Sequence, residues 1–489
     1  MGILIETKAK ASRISGPIAG NDATSTSIPE VIAALSFALD LTEGQPPGHA
    51  VRSCVFGMRI AEETGIPLAA RGDLYYAFLM KDAGCSTNSS RMVQLLGTDD
   101  IQAKKDVKTT DWTKIGWESL QYAISHVKPG APFLERVQAL FHVAINQKKN
   151  AHEMVRMRCE RGASIARRLG LKEATALAIH SLDELWNGAG QPDGLRGEEI
   201  PLFSRIMNLS QTLDVFYSER GPAAAVEIAR KRSGTWFDPN LVKAFRSLAK
   251  STSLWEDVAN ASKRVLGMEP PNTLFAGTPA DHEATLDNIC LAFADVIDAK
   301  SPFTYRHSAG VAGAAVAIGR TLGLDAGEIA LLRRAALLHD IGKLSVSNSI
   351  LDKPGKLTDE EWQSVHKHPY YSHEILKRVP GFADLSEIAA SHHEKLDGSG
   401  YYRNMGAAQL SLPARILAVA DIYDALSARR PYRDAMPLEK VFAIIQMDSP
   451  RALDIDCFEA LKCSSNEAAV VSADLLRLSE GVNSCSPVS

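Results

Sequence analysis

The sequence predicts an all-α protein, and three observations carry that prediction. From Pro29 onward, apolar residues recur three and four positions apart in EVIAALSFALDL, HAVRSCVFGMRIAEETG, WESLQYAISHV, FLERVQALFHVAI, LLRRAALLHDIGK and ARILAVADIYDALSA. The alternation of apolar and polar residues that marks a half-buried strand is scarce. The chain also repeats itself. His307 precedes His339 by as many positions as His49 precedes Lys81, and each pair leads into Asp, one further residue and Gly, in HDIG at 339–342 and KDAG at 81–84. DGSG at 397–400 lies as far before Asp421 as NGAG at 187–190 lies before Gln211, and Arg415 and Arg205 precede those positions by equal steps. FDPNLVKAF (237–245) and IDCFEAL (455–461) close the two copies. Agreement at this many offsets predicts tandem helical domains.

Taken in order, residues 1–28 are polar, without period, and read as a flexible lead. The first copy follows at 29–250, with an insertion at about 87–135 that its sibling lacks. Residues 251–282, which contain MEPPNTLFAGTPADH, read as a linker. The second copy spans 283–465, and 466–489 reads as a C-terminal tail.

A chain of 489 residues is too long for one ordinary core, which suits two domains. Hydrophobic content of 45% and charged content of 23% exclude a mainly disordered chain. A net charge of −4 leaves no global footprint for a nucleic acid polymer or an anionic membrane. Seven cysteines without CxxC spacing argue against a disulfide framework and for a reducing compartment. The start, MGILIETKAKASRIS, lacks the apolar core of a signal peptide, and AGVAGAAVAIG is too short to span a bilayer. The expectation is a cytoplasmic protein with no membrane span.

The chemistry concentrates in the second copy: His307, His339, Asp340, His368, His392, His393 and Asp421 fall within one helical domain. Manganese, iron and zinc accept imidazole together with carboxylate, and a carboxylate bridges two ions where a neutral imidazole cannot. Asp340 is the natural bridge. Neighbouring residues on a helix project about 100° apart, so His339-Asp340 and His392-His393 can each serve two adjacent ions. Two metals at that spacing lower the pKa of a water and hold the charge that develops on a phosphate ester. A lone His or a single His-Asp pair is more often a core or surface feature. Only the joint pattern points to a metal centre.

The texts FTYRHS, LLHDIGKLSV, ILDKPGKLTDEEW, HHEKLDGSGYY, PARILAVADIYDAL and RRPYR resemble the HD-GYP family of cyclic di-GMP phosphodiesterases, a branch of the HD phosphohydrolases, across the second copy. The resemblance implies tandem HD-type domains, the N-terminal one degenerate and the C-terminal one intact. It implies hydrolysis of cyclic di-GMP to pGpG, and on to GMP, with two divalent iron or manganese ions. The implied metal ligands are His307, His339, Asp340, His368, His392, His393 and Asp421. Asp340 and Lys343 take the catalytic roles, with Lys343 beside the scissile phosphate. Tyr401 lines the substrate pocket, and Arg430 and Arg433 grip phosphates, a task that suits the guanidinium fork. Hydrolysis of 3′,3′-cyclic GMP-AMP, or a non-catalytic cyclic-dinucleotide sensor, stand as alternatives. Partners in view are a second copy of the chain and, through the 397–402 loop, a diguanylate cyclase.

The sequence departs from the family pattern at three places. Gly400-Tyr401-Tyr402 lacks the proline of the Gly-Tyr-Pro signature, His368-Pro369-Tyr370-Tyr371-Ser372 has Ser where HPxxG ends in Gly and is expected to alter a turn, and Phe303 replaces a Glu that holds a third metal in some members. The first copy keeps His49 and Asp82 but carries Lys81, Arg158, Leu182, Asp183 and Gln211 at the other ligand positions. Cations and an alkyl side chain have no lone pair to give, so a metal cluster there is not expected. Packing or dimerisation is one role for that copy; an anion site built from Lys81, Arg158 and Arg205 is the other.

Overall fold

The computed structural model describes residues 27–480, apart from 109, 111–116, 130, 271–277, 305 and 429–433. These residues form helices joined by turns and, among them, no β-strand beyond two isolated bridges. The flexible lead therefore lies outside the described residues up to position 26. From Ile28 the chain is the helix Ile28–Thr42, whose Val31, Ile32, Leu35 and Leu39 are buried.

Corresponding contacts recur in the two halves. The helix His49–Glu63 starts under Asp40, whose carboxylate accepts from the Gly48 and Ala50 amides at 2.8 and 2.9 Å. The helix His307–Thr321 starts under Asp298, which accepts from the Ser308 amide at 3.1 Å. Burial pushes both carboxyls up to about 7 against the hydrogen bonds and charges that stabilise them. A Cβ on Gly84 would meet the Arg158 carbonyl oxygen at 2.0 Å, and one on Gly342 would meet the His368 carbonyl oxygen at the same distance. Arg205 binds Asp238 at 2.8 Å as Arg415 binds Asp454 at 3.0 Å.

Two boundaries read from sequence are corrected. The 251–282 segment is not a bare linker: Leu254, Val258, Ala261 and Val265 are buried at helical spacing, and Trp255 packs on Phe56 and Phe245. The polar MEPP stretch masked that periodicity. The boundary at 465 falls inside the helix Ile455–Glu480, so the segment after 466 is not a tail through Glu480. Its Ala468 and Leu475 are buried one heptad apart. Gly313 explains the fit, since a Cβ there would lie 2.7 Å from the Ala468 carbonyl oxygen. The small-residue run around 313 thus serves close helix packing, with backbone approaching backbone. No described helix is long and apolar enough to cross a membrane.

One apolar core runs through both halves, from Ile28 to Leu475. The first helix packs against the His49–Glu63 helix and also against the turn Ile341–Ser345 and the helix His368–Leu376. Phe37 lies under the Arg378 guanidinium at 4.4 Å. The insertion joins in as well. Asp100, fully buried at the start of the helix Asp100–Val107, accepts from the Asn348 amide at 2.7 Å and the Ser347 hydroxyl at 2.9 Å. Its other oxygen lies 3.7 Å from the ammonium of buried Lys300. Asp100→Ala is expected to lower the unfolding free energy by about 3 kcal/mol in denaturant titration, because it leaves Lys300 a buried cation without its counter-charge.

Candidate metal centre

The seven His and Asp residues singled out in the second copy come together, from five separate places in the fold. His307 opens the helix His307–Thr321. The helix Ala326–Leu338 starts with a reciprocal cap, Asp325 to the Glu328 amide and Glu328 to the Asp325 amide at 2.9 Å each, and ends at His339. Asp340 then leaves the helix and begins the turn Ile341–Ser345 that carries Lys343. His368 opens the helix His368–Leu376, His392 and His393 follow the helix Ala383–Ala390, and Asp421 lies within Leu412–Ser427.

Asp340 sits at the centre with its two oxygens facing different partners. Oδ2 lies 3.4 Å from His339 Nε2 and 3.7 Å from His307 Nε2. Oδ1 lies 3.3 Å from His368 Nε2 and 3.6 Å from His392 Nε2. Asp421 is divided in the same way, Oδ1 at 3.2 Å from His307 Nε2 and Oδ2 at 3.7 Å from His393 Nδ1. Overlapping donor groups result: His307, His339 and Asp421 on one side, His368, His392 and His393 on the other, and His339, Asp340 and His392 across the middle.

The ring tautomers suit metal ions. His339, His368 and His392 each donate from Nδ1 to the carbonyl three residues back, Ala336, Val365 and Ala389, at 2.7, 2.7 and 2.6 Å. A carbonyl only accepts, so Nδ1 carries the hydrogen and Nε2 presents a lone pair. His368 Nε2 and His392 Nε2 then face each other at 3.1 Å as two lone pairs, which repel unless a cation sits between them. His339 Nε2 and Asp340 Oδ1 are buried without a hydrogen-bond partner. Orphaned acceptors of this kind fit bound cations. Zinc, iron and manganese all suit such a donor set.

Charge follows the same logic. Burial lowers the imidazoles of His392, well below the usual range, and of His393, to about 3, so both rings are neutral and free to act as donors. Burial opposes ionisation of Asp340, but the electrostatic pull of the His339 imidazole beside it and of the Lys343 ammonium outweighs it and holds the carboxyl well below its usual range. His307 is the exception: burial pulls it down, yet its hydrogen bonds to Asp421 and Asp424 push it up to about 10. A metal at His307 therefore displaces a proton.

Sequence reasoning missed Asp424, whose Oδ2 holds His307 Nδ1 at 2.7 Å and so aims Nε2 at the centre. Its signal was the spacing to Asp421, one turn away on the same helix. Asp424→Ala is expected to weaken binding of the first ion 10- to 100-fold, measured by calorimetric titration with manganese. Ser372 corrects another expectation, since it lies in a helix rather than a turn. Its hydroxyl donates to the His339 carbonyl at 2.6 Å and accepts from the Gly342 amide at 3.0 Å, tying the His-Asp segment to the helix that carries His368. Lys343 pairs with Asp340 Oδ2, and Tyr401 stacks on His366 at 4.1 Å and leans on His393 at 4.7 Å. Arg430 and Arg433 lie outside the described residues.

The first half holds the same positions with opposite chemistry. His49 Nδ1 binds Asp214 at 2.7 Å as His307 binds Asp424. Lys81 then pairs with Asp82, Arg158 with Asp183, and Arg205 with Asp238, so each cation named for an anion site already holds a carboxylate. Glu43, Asp82 and Cys85 approach one another within ligand reach, but Lys108 lies 2.9 Å from Glu43 and Lys81 on Asp82. Both carboxylates of that trio are therefore already paired with ammonium groups.

A family model for the HD domain matches residues 138–241 and 292–456, more than half of the chain, including all seven residues of the centre. The chain belongs to the HD domain family. Among relatives of this HD protein, a 3′3′-cGAMP-specific phosphodiesterase 3 of Vibrio cholerae is 43% identical over 89% of this chain and 94% of its own length. A cyclic di-GMP phosphodiesterase response regulator of Xanthomonas campestris is 38% identical over 29% of this chain and 39% of its own length. The crystal structure of the cyclic GMP-AMP specific phosphodiesterase V-cGAP3 of V. cholerae superposes with a TM-score of 0.61 at 38% identity, covering 90% of this chain and 97% of that one.

Proposed function

We propose that this chain is a metal-dependent phosphodiesterase that hydrolyses 3′,3′-cyclic GMP-AMP in preference to cyclic di-GMP. The observation that carries the metal chemistry is the divided carboxylate of Asp340, with one oxygen toward His307 and His339 and the other toward His368 and His392. On this reading two divalent ions, iron or manganese, are held by His307, His339, Asp340, His368, His392, His393 and Asp421. Such ions supply a water of lowered pKa and positive charge toward a phosphate.

The chain's own groups do the rest. Nδ1 hydrogen bonds fix each imidazole before substrate arrives, so little reorganisation is needed. Lys343, anchored on Asp340, sets an ammonium at the edge of the donor groups where a phosphate oxygen gains charge. Tyr401 bounds the same side through its stack on His366. Hydrolysis breaks one phosphorus–O3′ bond and leaves a linear dinucleotide with a 5′-phosphate. The first half, with Lys81 and Arg158 at ligand positions and both ion-paired, is read as a non-catalytic copy that buttresses the second.

Cyclic di-GMP was the substrate expected from motif resemblance. The relatives favour the mixed dinucleotide: the cGAMP-specific enzyme aligns over 89% of this chain, whereas the cyclic di-GMP enzymes of X. campestris and Thermotoga maritima align over 29% and 32%. The test is kcat/KM for both substrates with manganese-loaded protein. A ratio of tenfold or more toward cyclic GMP-AMP is expected; a ratio in favour of cyclic di-GMP overturns the substrate assignment and leaves the metal chemistry standing.

A further inference from the structure

The rim of the metal centre carries a row of aromatic rings that the metal chemistry does not use. The helix Asp359–His366 begins with a capping box from Thr358 and Glu361 and has no buried residue. Asp359, Trp362, Gln363 and His366 recur along it at three- and four-residue steps, so they form one stripe, and that stripe lines an open cleft of about 560 Å³. Trp362 is 47% exposed, so its ring is not held there by the core. From it the rings continue inward without a gap. The Trp362 and His366 centroids are 5.3 Å apart, His366 and Tyr401 stack at 4.1 Å with planes 21° apart, and Tyr401 lies 4.7 Å from His393. His393 belongs to the second donor group, so the row ends at the place where phosphate chemistry is proposed.

We propose that this row is a nucleobase subsite, in which the adenine of the cyclic dinucleotide stacks on Trp362, whose plane is tilted 47° from that of His366 behind it, and Gln363 reads its edge. The inference rests on the reading that the centre cuts a cyclic dinucleotide. An indole and an imidazole present flat π faces, and any base stacks on such faces with little dependence on its identity. Discrimination needs a polar group in the plane of the base. A Gln amide supplies a carbonyl and an N–H side by side, the complement of the adenine N6 amine and its neighbouring ring nitrogen. On the N6/N7 edge guanine shows two acceptors, O6 and N7, so the Gln363 carbonyl would face an acceptor in either orientation of the amide. The exposed carboxylate of Asp359, on the same stripe, would accept from the adenine amine on that edge and repel the guanine O6 there. The position at the mouth, rather than among the ligands, predicts an effect on substrate affinity and selectivity with no effect on metal binding.

The experiment measures kcat and KM for 3′,3′-cyclic GMP-AMP and cyclic di-GMP, with manganese affinity by calorimetry and thermal melting as controls, in the full chain and its Trp362→Ala, Trp362→Phe and Gln363→Ala variants. Trp362→Ala is expected to raise KM for cyclic GMP-AMP about tenfold or more, leaving kcat, manganese affinity and melting temperature within twofold or a few degrees. Trp362→Phe keeps a stacking face and is expected to recover most of that loss. Gln363→Ala is expected to narrow the preference for cyclic GMP-AMP at least threefold. An unchanged KM in Trp362→Ala, while the parent protein turns over normally, overturns the subsite and spares the proposed function. A loss that Trp362→Phe does not recover overturns stacking as its cause. If the parent protein cuts neither dinucleotide, the functional reading fails and the subsite falls with it.

Discussion

Asp340→Asn is expected to reduce hydrolysis by at least about a thousandfold while the protein stays folded. The two oxygens of Asp340 face separate donor groups, and an amide offers one acceptor where the carboxylate offers two. Its NH2 group would point a donor either at His307 and His339 or at His368 and His392, where the proposed ions would sit. The same change removes the negative charge that pairs with Lys343 and would offset the proposed cations. Loss of several kcal/mol of charge stabilisation in the transition state corresponds to three or more decades of rate. Asn preserves the volume of Asp, so the fully buried position stays filled and circular dichroism and melting temperature are expected to change little. Retention of more than a tenth of the parent rate contradicts the bridging role.

Gly342→Ala is expected to damage both stability and metal binding. The added Cβ would stand 2.0 Å from the His368 carbonyl oxygen and 2.7 Å from the Ser372 amide nitrogen, both backbone atoms that no rotamer change can move aside. The turn Ile341–Ser345 and the helix His368–Leu376 must separate, at a cost of about 3 kcal/mol in unfolding free energy. Separation also draws Asp340 away from His368, so manganese affinity is expected to fall at least tenfold. Gly84→Ala provides the internal comparison. Its Cβ would meet the Arg158 carbonyl oxygen at the same 2.0 Å, yet the pair it separates carries Lys81, Asp82 and Arg158. A similar loss of stability is expected there, with manganese affinity nearly unchanged in the protein that remains folded.

The contrast between these glycines explains what the sequence revealed. Spacing recurs because each half must bring the same backbone segments into contact, and a Gly at 84 or 342 is required by close approach whether or not chemistry survives beside it. The residue types of the proposed centre stood out for a similar reason: His339-Asp340 and His392-His393 offer donors that few other tasks require together. Asp424 escaped notice because it touches no ion position and acts through His307. Asp100 was invisible in principle, since it caps Asn348 across 248 positions and sits in an insertion without a period of its own. The linker and tail were misjudged because the buried positions among the described residues of 251–282 and 466–480, Val258 and Leu475 among them, are sparse. Trp362 drew no attention for the opposite reason, being a single large ring on an eight-residue helix that packs no core. The proposed substrate preference was not legible because the motif residues are assigned to phosphate and metal chemistry that all cyclic dinucleotides would share.

The most direct test titrates metal-stripped protein with manganese under anaerobic conditions while following conversion of 3′,3′-cyclic GMP-AMP to its linear product. The stripped chain is expected to be inactive, with activity rising to a plateau as two ions bind per chain and no such rise in Asp340→Asn. Full turnover by the stripped chain, or no turnover of any cyclic dinucleotide at the plateau, would contradict a two-metal phosphodiesterase centre built on Asp340.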